Sequence, residues 1–196
     1  ILFKSPSDGN IGIGHVRWAT HGVPSILNAH PHSSENVSVV HNGIIENSDE
    51  LKMELESKGL KFKSQTDTEV ITLLITEALN NNEPLESVFK TLNKLKGSFA
   101  LGIIFKDFSD IIIGARRGSP LAVGYSSNEN YLGSDSYALK SMTNKISYLD
   151  DGELCVLTKN EVSFYDAKKN KINKKIHIVS DEENIADKGD YKNFMS

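Results

Sequence analysis

One cysteine, Cys155, stands among 196 residues. No disulfide can form within the chain, and a lone thiol fits a reducing, cytoplasmic setting. Positive charge is not in surplus either: 22 Lys and Arg against 26 Asp and Glu give a formal net charge of −4. That leaves no basic footprint for a nucleic acid. No apolar run approaches the roughly 20 residues of a membrane-spanning helix, and no leader pattern opens the chain. H-E-x-x-H and G-x-S-x-G are both missing, so neither a zinc-hydrolase nor a serine-hydrolase reading has its motif. Internal repeats and low-complexity tracts are absent. So is an initiator Met: the chain starts Ile1-Leu2-Phe3-Lys4 and closes on a polar, linker-like stretch. The expectation is a piece of a larger protein.

The material present is ordinary for a globular protein, 38% hydrophobic and 24% charged, enough for one sizeable core. Ile11 to Trp18 alternates loosely and reads as a strand, followed by an irregular segment to Ser34 that is long enough to be functional. Val37-Ser38-Val39-Val40 reads as a buried strand. Three helices come next. The first covers roughly 48–58, with Asn47 and Glu50 at capping-box spacing and Gly59 past its end. The second opens at Thr66-Asp67-Thr68-Glu69, again at capping-box spacing. The third has Pro84 in its first turn and Gly97 as its stop. The remainder reads as antiparallel strands, those at 98–105 and 110–115 apolar on both faces, with one short helix over 136–142. Strands, then helices, then strands predict an α+β fold.

Candidate chemistry gathers around His41-Asn42-Gly43. Asn-Gly is turn chemistry first, yet the next residues read as a helix start and not as a second hairpin strand. A side-chain amide beside a glycine N–H at a strand tip offers two donors aimed at one point, the layout of an oxyanion hole. Arg17 could clamp a carboxylate through a paired contact, with Thr20 and His21 beside it; the bland alternative is a surface arginine and a core Trp18. Asp67 either serves its helix terminus or receives an amino group. Five of the six histidines fall between positions 15 and 41. They raise a metal site as a rival, but the ligand spacing argues against it and for structural hydrogen bonding by His30-Pro31-His32. Cys155 lies in an apolar run, which predicts core packing rather than a reactive thiol.

Together, Arg17-Trp18-Ala19-Thr20-His21-Gly22, Asn28-Ala29-His30-Pro31-His32, His41 to Asn47 and Thr66-Asp67-Thr68-Glu69 occur in the order and spacing of class II glutamine amidotransferases. Arg116 with Gly118-Ser119-Pro120-Leu121, and Asp187-Lys188-Gly189-Asp190-Tyr191, strengthen the likeness. The chain resembles the branch that makes glucosamine 6-phosphate from fructose 6-phosphate more than it resembles amidophosphoribosyltransferase.

The resemblance implies an N-terminal-nucleophile hydrolase fold, a four-layer αββα sandwich of two antiparallel sheets between helix layers, here without its first strands. It implies a glutaminase domain over 1–180 and the start of a linker over 181–196, leading to a fructose-6-phosphate domain outside this chain. It also implies a cytoplasmic homodimer, with neither metal nor cofactor. Asn42 and the Gly43 N–H would form the oxyanion hole. Arg17, helped by Thr20 and His21, would hold the glutamine carboxylate. Asp67 and the Gly43 carbonyl would hold its amino group, and Trp18 would belong to a closing loop. The family's nucleophile is an N-terminal cysteine whose own amino group is its base. Ile1 stands first here, so these 196 residues alone are expected not to turn over glutamine. A non-catalytic domain that keeps the amino-acid pocket for regulation is the alternative from another class.

Overall fold

The computed structural model describes residues 9–17 and 22–179. Its strands are β1 (His32–Ser33), β2 (Val37–Ile45), β3 (Gly97–Phe105), β4 (Phe108–Arg117), β5 (Ala122–Tyr125), β6 (Asn130–Gly133), β7 (Lys145–Tyr148), β8 (Leu154–Leu157), β9 (Val162–Tyr165), β10 (Lys171–Ile172) and β11 (His177–Ile178). Its helices are α1 (Ser48–Ser57), α2 (Asp67–Leu79), α3 (Pro84–Leu92) and α4 (Ser136–Leu139). The strands form a seven-stranded sheet, β1-β2-β3-β4-β8-β9-β10, and a four-stranded one, β11-β7-β5-β6. Every pairing in both is antiparallel.

Alternation along the strands sorts the core into layers. Val39, Ile45, Leu101, Ile103 and Ile113 of the larger sheet pack with Leu55, Ile71, Ile75 and Val88 of the long helices. Residues of the opposite parity, such as Ala100, Cys155 and Leu157, meet Val123 of the smaller sheet and Leu121 just before it. On that sheet's outer face Ala122 and Ile146 pack with Leu139 of α4. The expected order of helix, sheet, sheet and helix therefore holds, with the last layer reduced to one short helix among the described residues. α2 is buried almost all round its first two turns, because it lies on β2 and between its sister helices.

Helix ends follow sequence chemistry only in part. α1 closes as expected: Gly59, at φ +87°, lets its own N–H bond the Glu56 carbonyl while Leu60 N–H bonds that of Leu55, a Schellman motif. Neither predicted capping box forms. Asn47 makes no cap bond; its amide instead bridges Lys94 C=O and Lys96 N–H at 2.9 Å each. Thr66 also makes no cap bond, and Glu69 folds back onto the N–H groups of Lys63 and Ser64.

Three further expectations are corrected. Residues 11–17 form no strand: Gly12 and Gly14 have nothing within 4 Å of a built Cβ, and Val16 is fully exposed. Gly97 does not stop α3, which ends at Leu92; it opens β3 opposite Ile45. Asn42-Gly43 is not a turn. β2 runs straight through it, with Asn42 opposite Ala100 and Gly43 opposite Phe99. Glycine is required there for another reason: at φ +125°, a Cβ on Gly43 would sit 2.1 Å from the Ser98 carbonyl oxygen.

That contact separates two glycines. Gly43→Ala combines left-handed strain with a backbone clash and should cost about 3 kcal/mol or more. Gly59→Ala meets only open space and should cost about 1 kcal/mol from its backbone conformation. Urea unfolding of the two variants measures the difference; equal losses would remove the Ser98 explanation.

Candidate active site

β1 pairs with β2 only at Ser38 and Val39. Beyond Val39, the edge of β2 that faces away from β3 carries no strand among the described residues. Odd-numbered residues turn their backbone polar groups to this edge: the Val37 carbonyl accepts from Ser34 N–H there at 2.9 Å. At the far end Ile45 N–H donates to Asp67 Oδ2, also at 2.9 Å. Gly43 falls between them in that alternation. Asp67 is the first residue of α2 and only 6% exposed. Its carboxylate thus crosses from the helix terminus to the strand edge, with its second oxygen 4.0 Å from His41 Nδ1.

The next residue anchors the histidines. Thr68 Oγ1 lies 3.1 Å from both His30 Nε2 and His41 Nδ1. A hydroxyl has one proton, so it donates to one ring and accepts from the other. Thr66 Oγ1 meets His32 Nε2 at 2.9 Å. The His30 ring leans against His15, centroids 4.4 Å apart, and meets His32 edge-on at 5.1 Å. Burial pushes the His30 pKa down to about 3, helped by the neighbouring His15, His32, His41 and Arg17. Burial lowers His32 as well, against an opposing pull from Glu69 and Asp67. Both imidazoles are neutral at neutral pH and act as packing and hydrogen-bonding groups, the structural role expected of His30-Pro31-His32. Among the described residues no group of three or more His, Cys, Asp or Glu is placed to hold a metal.

His15 reaches the opposite face of β2. Its Nδ1 accepts from Arg17 N–H at 2.8 Å, and its Nε2 lies 2.7 Å from Asn42 Oδ1. Asn42 is exposed, at the rim of an inter-sheet cavity of about 240 Å³ lined by Val40, Gly102, Leu132 and Met142 among others. Arg17, in a left-handed conformation at φ +42°, donates from Nη2 to the Gly22 carbonyl at 3.2 Å. The Arg17 guanidinium lowers the His32 pKa and the Asp67 carboxylate raises it, so both charges are felt at the same imidazole. Trp18, Thr20 and His21 lie outside the described residues. Cys155 is fully buried between the sheets, and burial pushes its thiol up to about 12, so it is core as expected.

The neighbourhood therefore offers a guanidinium, a buried carboxylate, an oriented amide and an open strand edge. Residues 19–141 match the glutamine amidotransferase domain family. The chain belongs to that family.

Relatives of this amidotransferase domain sharpen the placement. It is 47% identical over all 196 residues to glutamine–fructose-6-phosphate aminotransferase (isomerizing) of Zymomonas mobilis, covering 32% of that protein. To the enzyme of the same name from Mesorhizobium japonicum it is 48% identical over 195 residues, 99% of this chain and 32% of that protein. The chain thus spans about a third of the length of the curated relatives it matches. Among solved structures, the glutamine phosphoribosylpyrophosphate amidotransferase of B. subtilis, complexed with ADP and GMP, superposes with a TM-score of 0.66 at 26% identity. That match covers 80% of this chain and 35% of the other. A class-II glutamine aminotransferase domain protein from Silicibacter pomeroyi shares the fold at TM-score 0.54 and 15% identity, over 72% of this chain and 71% of that one. The α+β amidotransferase fold and the assignment to an enzyme family both stand.

Residue-type reasoning singled out Asn42, Gly43, Arg17 and Asp67 but missed His15 and Thr68. The one available signal was the spacing His15-Val16-Arg17, which in an extended segment would put two polar side chains on the same side. Acid should expose the histidine packing. Unfolded His30 takes up a proton as pH falls through its ordinary value of 6.5, whereas the folded group does so only near 3. Stability is therefore lost progressively across that interval. Urea unfolding at pH 7 and pH 5 should show a smaller loss for His30→Gln than for the parent; identical losses would place the acid sensitivity elsewhere.

Proposed function

We propose that this domain hydrolyses the side-chain amide of glutamine to glutamate and ammonia. The ammonia would go to fructose 6-phosphate held by a further domain, with residues 181–196 leading towards it. The observation that carries the reading is the edge of β2 beyond Val39, unpaired among the described residues, with Asp67 clamped to Ile45 N–H on one side and Asn42 oriented by His15 on the other. A free amino acid is a zwitterion and needs an anion and a cation at opposed points. Asp67, with the Gly43 carbonyl, suits the ammonium, and Arg17 suits the carboxylate through paired donors. Thr20 and His21 would assist Arg17, and Trp18 would belong to a loop that closes over the substrate. The glutamine carbonyl then reaches Asn42 and the Gly43 N–H, which stabilise the charge that develops on its oxygen during attack. Glycine at 43 also lets backbone and substrate approach closely. The attacking thiol is not Cys155, which is sealed between the sheets; an N-terminal cysteine acting with its own amino group is the chemistry the family uses.

Whole-chain identity to the fructose-6-phosphate enzymes favours that acceptor over phosphoribosylpyrophosphate. A cytoplasmic homodimer is the assembly we propose. No helix among the described residues is long and apolar enough to cross a membrane.

Glutamate release by the full-length protein tests this. Asn42→Ala should lower kcat by about 10²–10³ with KM for glutamine nearly unchanged, the pattern of a contact made in the transition state. Arg17→Ala should mainly raise KM. Glutamine binding without any release of glutamate would favour the regulatory domain instead.

A further inference from the structure

The hydrogen bonds of His15 decide more than its own position. Arg17 N–H is a donor only, so the His15 Nδ1 that faces it at 2.8 Å carries no proton. Neutral imidazole then holds its proton on Nε2. Nε2 faces Asn42 at 2.7 Å, and a donor there requires the amide oxygen as its partner. The orientation of the Asn42 amide, ordinarily ambiguous between O and N, is therefore fixed by a chain of donors that begins at a backbone N–H. Its NH₂ is turned away from His15, and among the described residues no acceptor is bonded to it.

The ring of His15 is itself held. His30 packs against it at 4.4 Å, and His30 is tied through Nε2 to Thr68 Oγ1. Thr68 follows Asp67 on the first turn of α2. One helix terminus thus supports both halves of the site: Asp67 directly on the edge of β2, and Asn42 through Thr68, His30 and His15.

The geometry points to His15 as a positioning residue for the oxyanion hole: it sets the Asn42 amide so that NH₂, not C=O, faces the carbonyl being attacked. This rests on the glutaminase reading above. A reversed amide would present an oxygen lone pair to the developing negative charge, turning a stabilising contact into a repulsive one. The effect falls on the transition state, because His15 itself need not touch glutamine.

Two variants and one spectrum test it in the full-length protein. His15→Phe keeps a flat ring beside His30 and removes both hydrogen bonds. His15→Gln supplies an oxygen for Arg17 N–H and an NH₂ for Asn42 Oδ1. The expected result is a kcat for glutamine hydrolysis lowered about 10²-fold in H15F, with KM changed less than about threefold, and recovery to within about tenfold of the parent in H15Q. Unchanged kcat in H15F, equal losses in both variants, or a change confined to KM would overturn the proposal. Thermal unfolding of both variants checks that they remain folded. The imidazole ¹⁵N spectrum reads the same claim without activity: His15 must show an unprotonated Nδ1 and a protonated Nε2. The opposite tautomer overturns the positioning role whether or not the protein is a glutaminase. The expected tautomer in a parent protein that releases no glutamate would sink the glutaminase reading, while the hydrogen-bond chain to Asn42 would stand.

Discussion

A single buried hydrogen bond, Ile45 N–H to Asp67 Oδ2, joins the N-terminus of α2 to the edge of β2 that faces away from β3, and the rest of the site is built outward from it. An edge strand would ordinarily leave a donor like this to solvent or to another strand. A carboxylate takes it instead, at a helix end whose aligned peptide dipoles favour negative charge. Losing the carboxylate would leave a buried N–H unsatisfied, which costs about 1–3 kcal/mol. The same bond therefore contributes to folding while it fixes the carboxylate proposed to receive a ligand ammonium.

Around that anchor lies an unusual quantity of neutral imidazole. His30 and His32 are too buried to carry charge at neutral pH. They fill space between the loop of residues 22–31 and α2 with groups that both pack and hydrogen-bond. A Leu or Phe in their place would pack but could not satisfy Thr66 and Thr68, whose hydroxyls are buried with them. This is why a histidine-rich stretch here serves geometry. The rings share two threonine hydroxyls and one another's faces, and nothing in their arrangement directs several lone pairs at a common point.

The sequence disclosed this fold unevenly, for reasons that lie in particular residues. The three long helices were legible because their apolar period is strong, and β3 and β4 because they are covered on both faces. Hydrogen bonds that cross the chain were not. Asn47, Thr66 and Glu69 carry capping-box spacing, yet each side chain is claimed by a partner outside the box. Asn42-Gly43 has the composition of a turn, but the near approach of Ser98 on β3 selects glycine within a continuous strand. The role proposed for the dipeptide does not depend on a turn, since a donor amide beside a glycine has the same meaning at a strand edge as at a tip. His15 and Thr68 stayed hidden because their partners, Asn42 and His30, are distant along the chain and only folding brings them together.

Family membership and site geometry meet in one claim, that the amino group of glutamine sits on Asp67 while its carboxylate sits on Arg17. A crystal structure of the full-length protein with the product glutamate bound tests it most directly. The account predicts the glutamate ammonium within hydrogen-bonding distance, about 3 Å, of an Asp67 carboxylate oxygen, and the α-carboxylate on the Arg17 guanidinium. Glutamate bound with its amino group away from Asp67, or seated elsewhere on the domain, would contradict it.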